Sequence, residues 1–213
     1  MTRFIAPTSD KISGTLCSSI RKHSKRTIFG PSTNLNIAYY IDEQKRNLLE
    51  KMDIQLPDDY YWVTLSERDA EQICAEQIYT SKADEKFVAL RIRNFPSVGV
   101  AYKPLGELAE APGNLACYEY TDGLGVISLL YCQKAHRGKR LATLVEQKIC
   151  QRNIIEQGII PYKGVSINRP RVVQMTAKSG IWTACLDEDQ NEELHFCSLY
   201  SRKDQPRVFI YED

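Results

Sequence analysis

The order of apolar and polar positions divides the chain into alternating short elements. Residues 38–52 (AYYIDEQKRNLLEKM) carry the spacing of a short helix, which Leu56-Pro57 breaks. Tyr60-Tyr61-Trp62-Val63-Thr64 is aromatic and β-branched and predicts a strand. Ser66 with Asp69, and Ser81 with Asp84, have the spacing of capping boxes. The first opens a helix with Ala70, Ile73, Cys74 and Ile78 on its apolar face, the second a helix through Phe87 and Leu90 that stops before Pro96. Three strands follow, at Ser97–Tyr102, Leu115–Tyr120 and Gly125–Cys132. The last is an almost unbroken apolar run, which predicts burial on both faces. Leu141, Leu144, Val145 and Ile149 recur at helical spacing up to Gly158, Pro161–Ile167 reads as a strand, and 171–179 as a helix ending at Gly180. Glu193–Tyr200 and Arg207–Tyr211 complete the chain as a strand pair. This order predicts an α/β fold with helices on both faces of a mixed sheet and a strand–loop–helix unit at its centre.

Composition narrows the class. The 213 residues are 43% hydrophobic and 26% charged, so the chain is neither disordered nor fibrous, and no apolar run is long enough to span a bilayer. The net charge of +1 conceals an asymmetry. Residues 1–41 hold Arg3, Lys11, Arg21, Lys22, Lys25 and Arg26 against Asp10 alone, a balance of +5 that leaves −4 for the rest. Such a start suits a presequence, a phosphate-seeking arm or a solvated leader. Seven cysteines without a C-x-x-C pair, and three scattered histidines, predict reduced thiols and no metal. An intracellular protein, mitochondrial or cytoplasmic, is expected.

The segment with chemical content is Gln133–Ala142 (QKAHRGKRLA), between a strand and an amphipathic helix. Main-chain N–H groups at a helix N-terminus lack partners, and the helix dipole makes them attractive to anions. Gly138 permits close approach, and Lys134, Arg137, Lys139 and Arg140 add charge, an arrangement suited to pyrophosphate. It is not a P-loop, because Gln133 replaces the first glycine and Arg140 the Ser/Thr; nor is it a dinucleotide fingerprint, which needs three glycines.

Arg137-Gly138-Lys139-Arg140-Leu141-Ala142 resembles the R-G-x-G-x-G/A loop of the GNAT superfamily of acyl-CoA-dependent N-acyltransferases. Together with YYWVTLSERDA (60–70), FPSVGV (95–100), Gly125–Ala142 and Asn168–Ile181, it resembles the glycine N-acyltransferase branch over about residues 58–185. The resemblance implies a domain at 58–213, preceded by a basic leader and an abbreviated N-terminal remnant at 1–57. It also implies a mostly antiparallel sheet with a V-shaped splay between Gly125–Cys132 and Pro161–Ile167. The pantetheine arm of acyl-CoA would pair with Leu130, Tyr131 and Cys132, and the pyrophosphate would lie on Gly138 to Ala142, with Arg137 and Asn168 completing the site. An amine, of glycine or another small acceptor, would attack the thioester, with the N–H near Cys132 holding the oxyanion. No metal takes part, nothing spans a membrane, and nucleic acid is not expected as a partner.

Three positions depart from the pattern. Arg140 stands for the second loop glycine, and is acceptable where φ stays negative. The branch's catalytic Glu falls at Val126, which makes Glu119 on the preceding strand the substitute base. Thr176 stands where many relatives place a tyrosine as thiol acid. These departures also suit the alternative, a catalytically impaired CoA-binding protein acting as a sensor or interaction module.

Overall fold

The computed structural model describes residues 29–77, 80–103 and 115–202. Two four-stranded sheets form the framework. In the first, β1 (Phe29–Tyr40) is central, antiparallel to β6 (Tyr162–Ser166), β7 (Thr183–Ala184) and β8 (Leu194–Arg202). In the second, β2 (Tyr60–Val63), β3 (Ser97–Tyr102), β4 (Leu115–Thr121) and β5 (Ile127–Cys132) form an antiparallel series. The sheets meet where Val126 and Tyr162 form one parallel bridge, and from there β5 and β6 run into different sheets. The fold is therefore a mixed, mostly antiparallel α/β structure with the expected V-shaped splay.

Helices cover both faces. Helix α4 (Leu141–Gln157) packs one face through Leu141, Val145, Ile149, Cys150 and Ile154, in a core shared with Ile37, Tyr39, Val98, Val100 and Cys117. On the opposite face α2 (Ala70–Glu76) and α3 (Glu85–Asn94) enclose Tyr118 and Tyr120 with Ile73, Cys74, Val88 and Ile92. Both capping boxes are present, with the Asp69 carboxylate accepting the Ser66 N–H at 2.6 Å and Asp84 accepting that of Ser81 at 2.8 Å. Helix α5 (Pro170–Lys178) starts on its proline and packs beside β6.

Two expectations need correction. Ala38 to Tyr40 end a strand rather than begin a helix, because Asp42 is the N-cap, accepting the Lys45 N–H at 2.9 Å, and α1 spans only Glu43–Lys51. Aromatic Tyr39 is buried between sheet neighbours, and tertiary pairing overrides the local helical spacing. Ile37, Tyr39, Ile41 and Leu49 pack in the same core as α4. Helix α3 runs through Phe87 and Leu90 and ends before Pro96 as expected, with Val88 and Ile92 on its buried face. Along β5 only Ile127 is fully buried, because the strand has β4 on one edge and diverges from β6 on the other. Ile78 and Arg207–Tyr211 lie outside the described residues.

Candidate active site

The ladder between β4 and β5 determines which main-chain groups are free. Cys117 opposes Cys132 and Tyr118 opposes Tyr131, and the Gln133 N–H donates to the Ala116 carbonyl at 2.9 Å. That bond straddles Cys117 and Cys132, so theirs is the non-hydrogen-bonded kind of pair. The N–H and C=O of Cys132 consequently point away from β4, toward the splay, and by alternation so do those of Leu130. Tyr131 faces β4 instead. Between Tyr118 and Tyr120 the register shifts, and Leu129 adopts φ 63°. This is the geometry of a β-bulge, which bends a strand and interrupts its pairing. Gln77 fastens the bulge by donating Nε2–H to the Leu129 carbonyl at 2.9 Å.

The loop after β5 contains a 3₁₀ turn, Lys134–His136, and then two left-handed residues, Gly138 (φ 80°) and Arg140 (φ 64°). Arg140 is the N-cap of α4 and gives no side-chain cap, and no acidic residue stands in the first turn. Its positive φ is the conformation that favours glycine, contrary to the condition set for a non-glycine there. A Cβ added at Gly138 would meet nothing within 4 Å, so the loop is open on the side a ligand would approach. Arg137 folds back, donating Nε–H to the Cys132 carbonyl at 3.1 Å. Lys139 is turned aside: its Nζ donates to the Tyr60 hydroxyl at 2.8 Å and lies over the Tyr60 and Tyr102 rings. The Tyr60 hydroxyl also hydrogen-bonds His136 Nδ1 at 2.9 Å, the donor set by the histidine tautomer. Burial and the Lys139 charge hold His136 below the ordinary histidine pKa.

The two faces of the sheet carry different carboxylates. Glu119 is 2% exposed on the α4 face, alongside Glu146 of α4 and Lys163 of β6, which form a buried ion pair. Burial, reinforced by the Glu146 charge and opposed by Lys163, holds the Glu119 carboxyl well above the usual carboxylate range. Lys163 also lies 4.6 Å from the centre of the Trp182 ring. On the α2 face, Glu76 accepts through Oε1 from Gln72 at 2.9 Å and from Gln133 at 3.1 Å. Its Oε2 is buried beside the Tyr118 side chain and has no hydrogen-bond partner among the described residues. Gln133 follows directly on β5, so this carboxylate borders the strand end from the face opposite Glu119.

Thr176 of α5 is fully buried, and its Oγ1 has no partner. Asn168 is exposed in the turn after β6, its N–H donating to Ser166 Oγ at 3.3 Å. The structure thus brings Leu130, Cys132, Arg137, Gly138, Lys139, Arg140, Leu141 and Ala142 to one end of β5. It sets Glu119 inside the core and Thr176 beyond β6. Glu76, Gln77 and the Tyr60–His136–Lys139 chain were not singled out by spacing, because each depends on contacts between elements distant in sequence.

No protein-family model matches the sequence, and neither does any curated protein. Solved structures do match its shape. A Drosophila protein superposes with a TM-score of 0.68 at 11% identity, over 89% of this chain and 58% of that one. A tandem GNAT protein from the clavulanic acid biosynthesis pathway gives 0.55 at 13% identity, over 92% and 60%. A GNAT-family acetyltransferase from Colwellia psychrerythraea gives 0.50 at 12% identity, over 85% and 72%. The fold is the GNAT fold. Within it, β5, the loop at 133–140 and α4 form the strand–loop–helix unit, with β6 as the second wall of the splay. The chain spans little more than half the length of the Drosophila protein. Among the described residues no helix of this GNAT fold is long and apolar enough to cross a membrane.

Proposed function

We propose that the chain is an acyl-CoA-dependent N-acyltransferase that moves an acyl group from CoA to the amine of a small acceptor, glycine or another amino acid. The observation that carries the reading is the pair of strand positions turned away from β4, Leu130 and Cys132, the Cys132 carbonyl held only by the Arg137 side chain, facing a splay that ends at a left-handed loop and a helix N-terminus. An extended pantetheine arm would complete the edge of β5 as an added strand. The pyrophosphate would rest on the first N–H groups of α4. Arg137, Lys139 and Arg140 lie close enough in sequence to add charge, with Lys139 exchanging its tyrosine for phosphate.

The reaction is attack of a neutral amine on the thioester carbonyl, followed by loss of CoA thiolate to leave an amide. The developing oxyanion takes a hydrogen bond from a splay-facing N–H, Leu130 or Cys132, beside the bulge. We assign the role of base to Glu76, whose Oε2 is an unpartnered acceptor on the α2 face. Glu119 has a raised pKa that would suit a base, but its carboxyl is enclosed with Glu146 and Lys163 and has no path to an amine. Thr176, proposed to protonate the leaving thiolate, takes that role from the sequence resemblance alone, its side chain being as fully buried as that of Glu119. The glycine-conjugating preference rests on the sequence resemblance alone.

A thiol-release assay across acetyl-, benzoyl- and longer acyl-CoAs with a panel of amines tests the reading. Turnover that Gly138→Asp abolishes is the expected result, because a carboxylate in the loop repels pyrophosphate. CoA binding without turnover would favour the sensor reading, which the valine at the strand junction, position 126, also suits.

A further inference from the structure

Two thiols face each other across the β4–β5 ladder. Cys117 and Cys132 are register partners of the non-hydrogen-bonded kind, the arrangement that brings opposed Cα atoms to about 4.5 Å and their side chains closest. A disulfide accepts Cα separations of about 4.4–6.8 Å. Both cysteines are free thiols, and the Cys132 Sγ–H donates to the Gln133 carbonyl at 3.8 Å. Access separates them: Cys117 is fully buried, whereas Cys132, on the strand that borders the splay, is half-buried.

Their environments differ in the same sense. The Cys117 hydrogen bond and the Arg137 charge, outweighing burial, hold the Cys132 thiol below the ordinary cysteine pKa. The Cys132 contact and burial push Cys117 far up. Cys132 is therefore the better suited of the two to make the first attack. Cys74, Cys150 and Cys185 have no cysteine opposite them among the described strands.

We propose that Cys117 and Cys132 form a redox-responsive dithiol that closes into a cross-strand disulfide on reaction with a low-molecular-weight disulfide such as glutathione disulfide, Cys132 being the point of entry. The Cys132 thiolate attacks one sulfur of the oxidant, forming a mixed disulfide and releasing one glutathione thiolate. Cys117 then gives up its proton and attacks Cys132 Sγ, releasing the second glutathione. Two protein thiols become one disulfide, and one glutathione disulfide becomes two glutathione molecules. Cys132 lies on the strand whose open edge the pantetheine arm would cover, so a tripeptide attached to its side chain would crowd that arm. Bound CoA should accordingly slow the reaction, a consequence that rests on the proposed acyl-CoA site.

The test uses the full chain, reduced and then exposed to glutathione disulfide, alkylated, and mapped without reduction. The expected result is loss of two hydrogens and a Cys117–Cys132 cross-linked peptide. Cys132→Ser should slow the loss of the Cys117 thiol by at least about tenfold, and Cys117→Ala should stop at a glutathione adduct on Cys132. Circular dichroism checks that each variant is folded; if Cys117→Ala is not, the wild-type map and Cys132→Ser decide the matter. Both thiols remaining alkylatable, or oxidation of Cys117 at the wild-type rate in Cys132→Ser, overturns the proposal. Disulfide closure that CoA does not slow leaves the dithiol standing and counts against the acyl-CoA site.

Discussion

Replacing Glu119 by Gln should stabilise the protein, and more so as the pH rises. The side chain is enclosed with Glu146 and Lys163, and the single ammonium is already paired with Glu146. Burial and the Glu146 charge therefore keep the Glu119 carboxyl protonated in the folded state above the ordinary range. In the unfolded chain it loses its proton around pH 4.3. Between that value and the raised folded-state pKa, the native state holds one proton that the unfolded state has released. Stability then falls as pH rises, by about 1.4 kcal/mol per pH unit for one proton. A glutamine has no such dependence. The difference in unfolding free energy, variant minus wild type, should grow as pH rises above about 4.3, by at most about 1.4 kcal/mol per pH unit, and level off once the raised folded-state pKa is passed. Urea titrations at several pH values under reducing conditions measure it, with similar m-values showing that the unfolding reaction is unchanged. A difference that is flat with pH, or that shrinks as pH rises, would refute the reasoning: it would mean that Glu119 is ionised in the folded protein and shares the Lys163 charge.

Further expectations follow from the same structure. Lys163→Met leaves Glu146 buried without its cation, and should cost about 3–5 kcal/mol, or a fall in Tm of roughly 10 °C, in a thermal melt. Arg140→Gly removes a side chain from a left-handed N-cap; chemical denaturation should show a gain of up to about 1 kcal/mol, with CoA affinity maintained or improved. Glu76→Gln should lower kcat by about 10²–10⁴-fold in the thiol-release assay, with CoA affinity little changed, because the side chain serves the amine and not the nucleotide. Equal losses in Glu119→Gln and Glu76→Gln would argue against that assignment.

Much of the architecture was legible in the sequence because it rests on local chemistry. The capping boxes at Ser66 and Ser81, the proline start of α5 and the helical spacing from Leu141 depend on residues a few positions apart, and they appear where spacing puts them. What spacing could not show was β1. Its Tyr39-Tyr40 become strand residues through pairing with β6 and β7, more than a hundred positions away. Which face of α3 is buried depends on packing against Tyr118 and Tyr120, which takes Val88 and Ile92 and leaves Phe87 and Leu90 exposed.

The candidate site divides along the same line. The loop from Arg137 to Ala142 is contiguous and could be read directly. Glu119 could be chosen by its place on a strand, but its enclosure by Glu146 and Lys163 depends on two other elements. Glu76 gave no signal at all. Its orientation comes from Gln72 on the same helix and Gln133 from beyond β5. The opposition of Cys117 and Cys132 likewise follows from register, which the bulge at Leu129 helps to set.

The central claim is that an acyl-CoA arm completes the open edge of β5. Residue-resolved amide hydrogen exchange by NMR, with and without CoA, tests it most directly. CoA should protect Leu130 and Cys132, whose N–H groups face the splay, and leave Tyr131, already facing β4, little changed. Absence of binding, or protection elsewhere with none at Leu130 and Cys132, would contradict it.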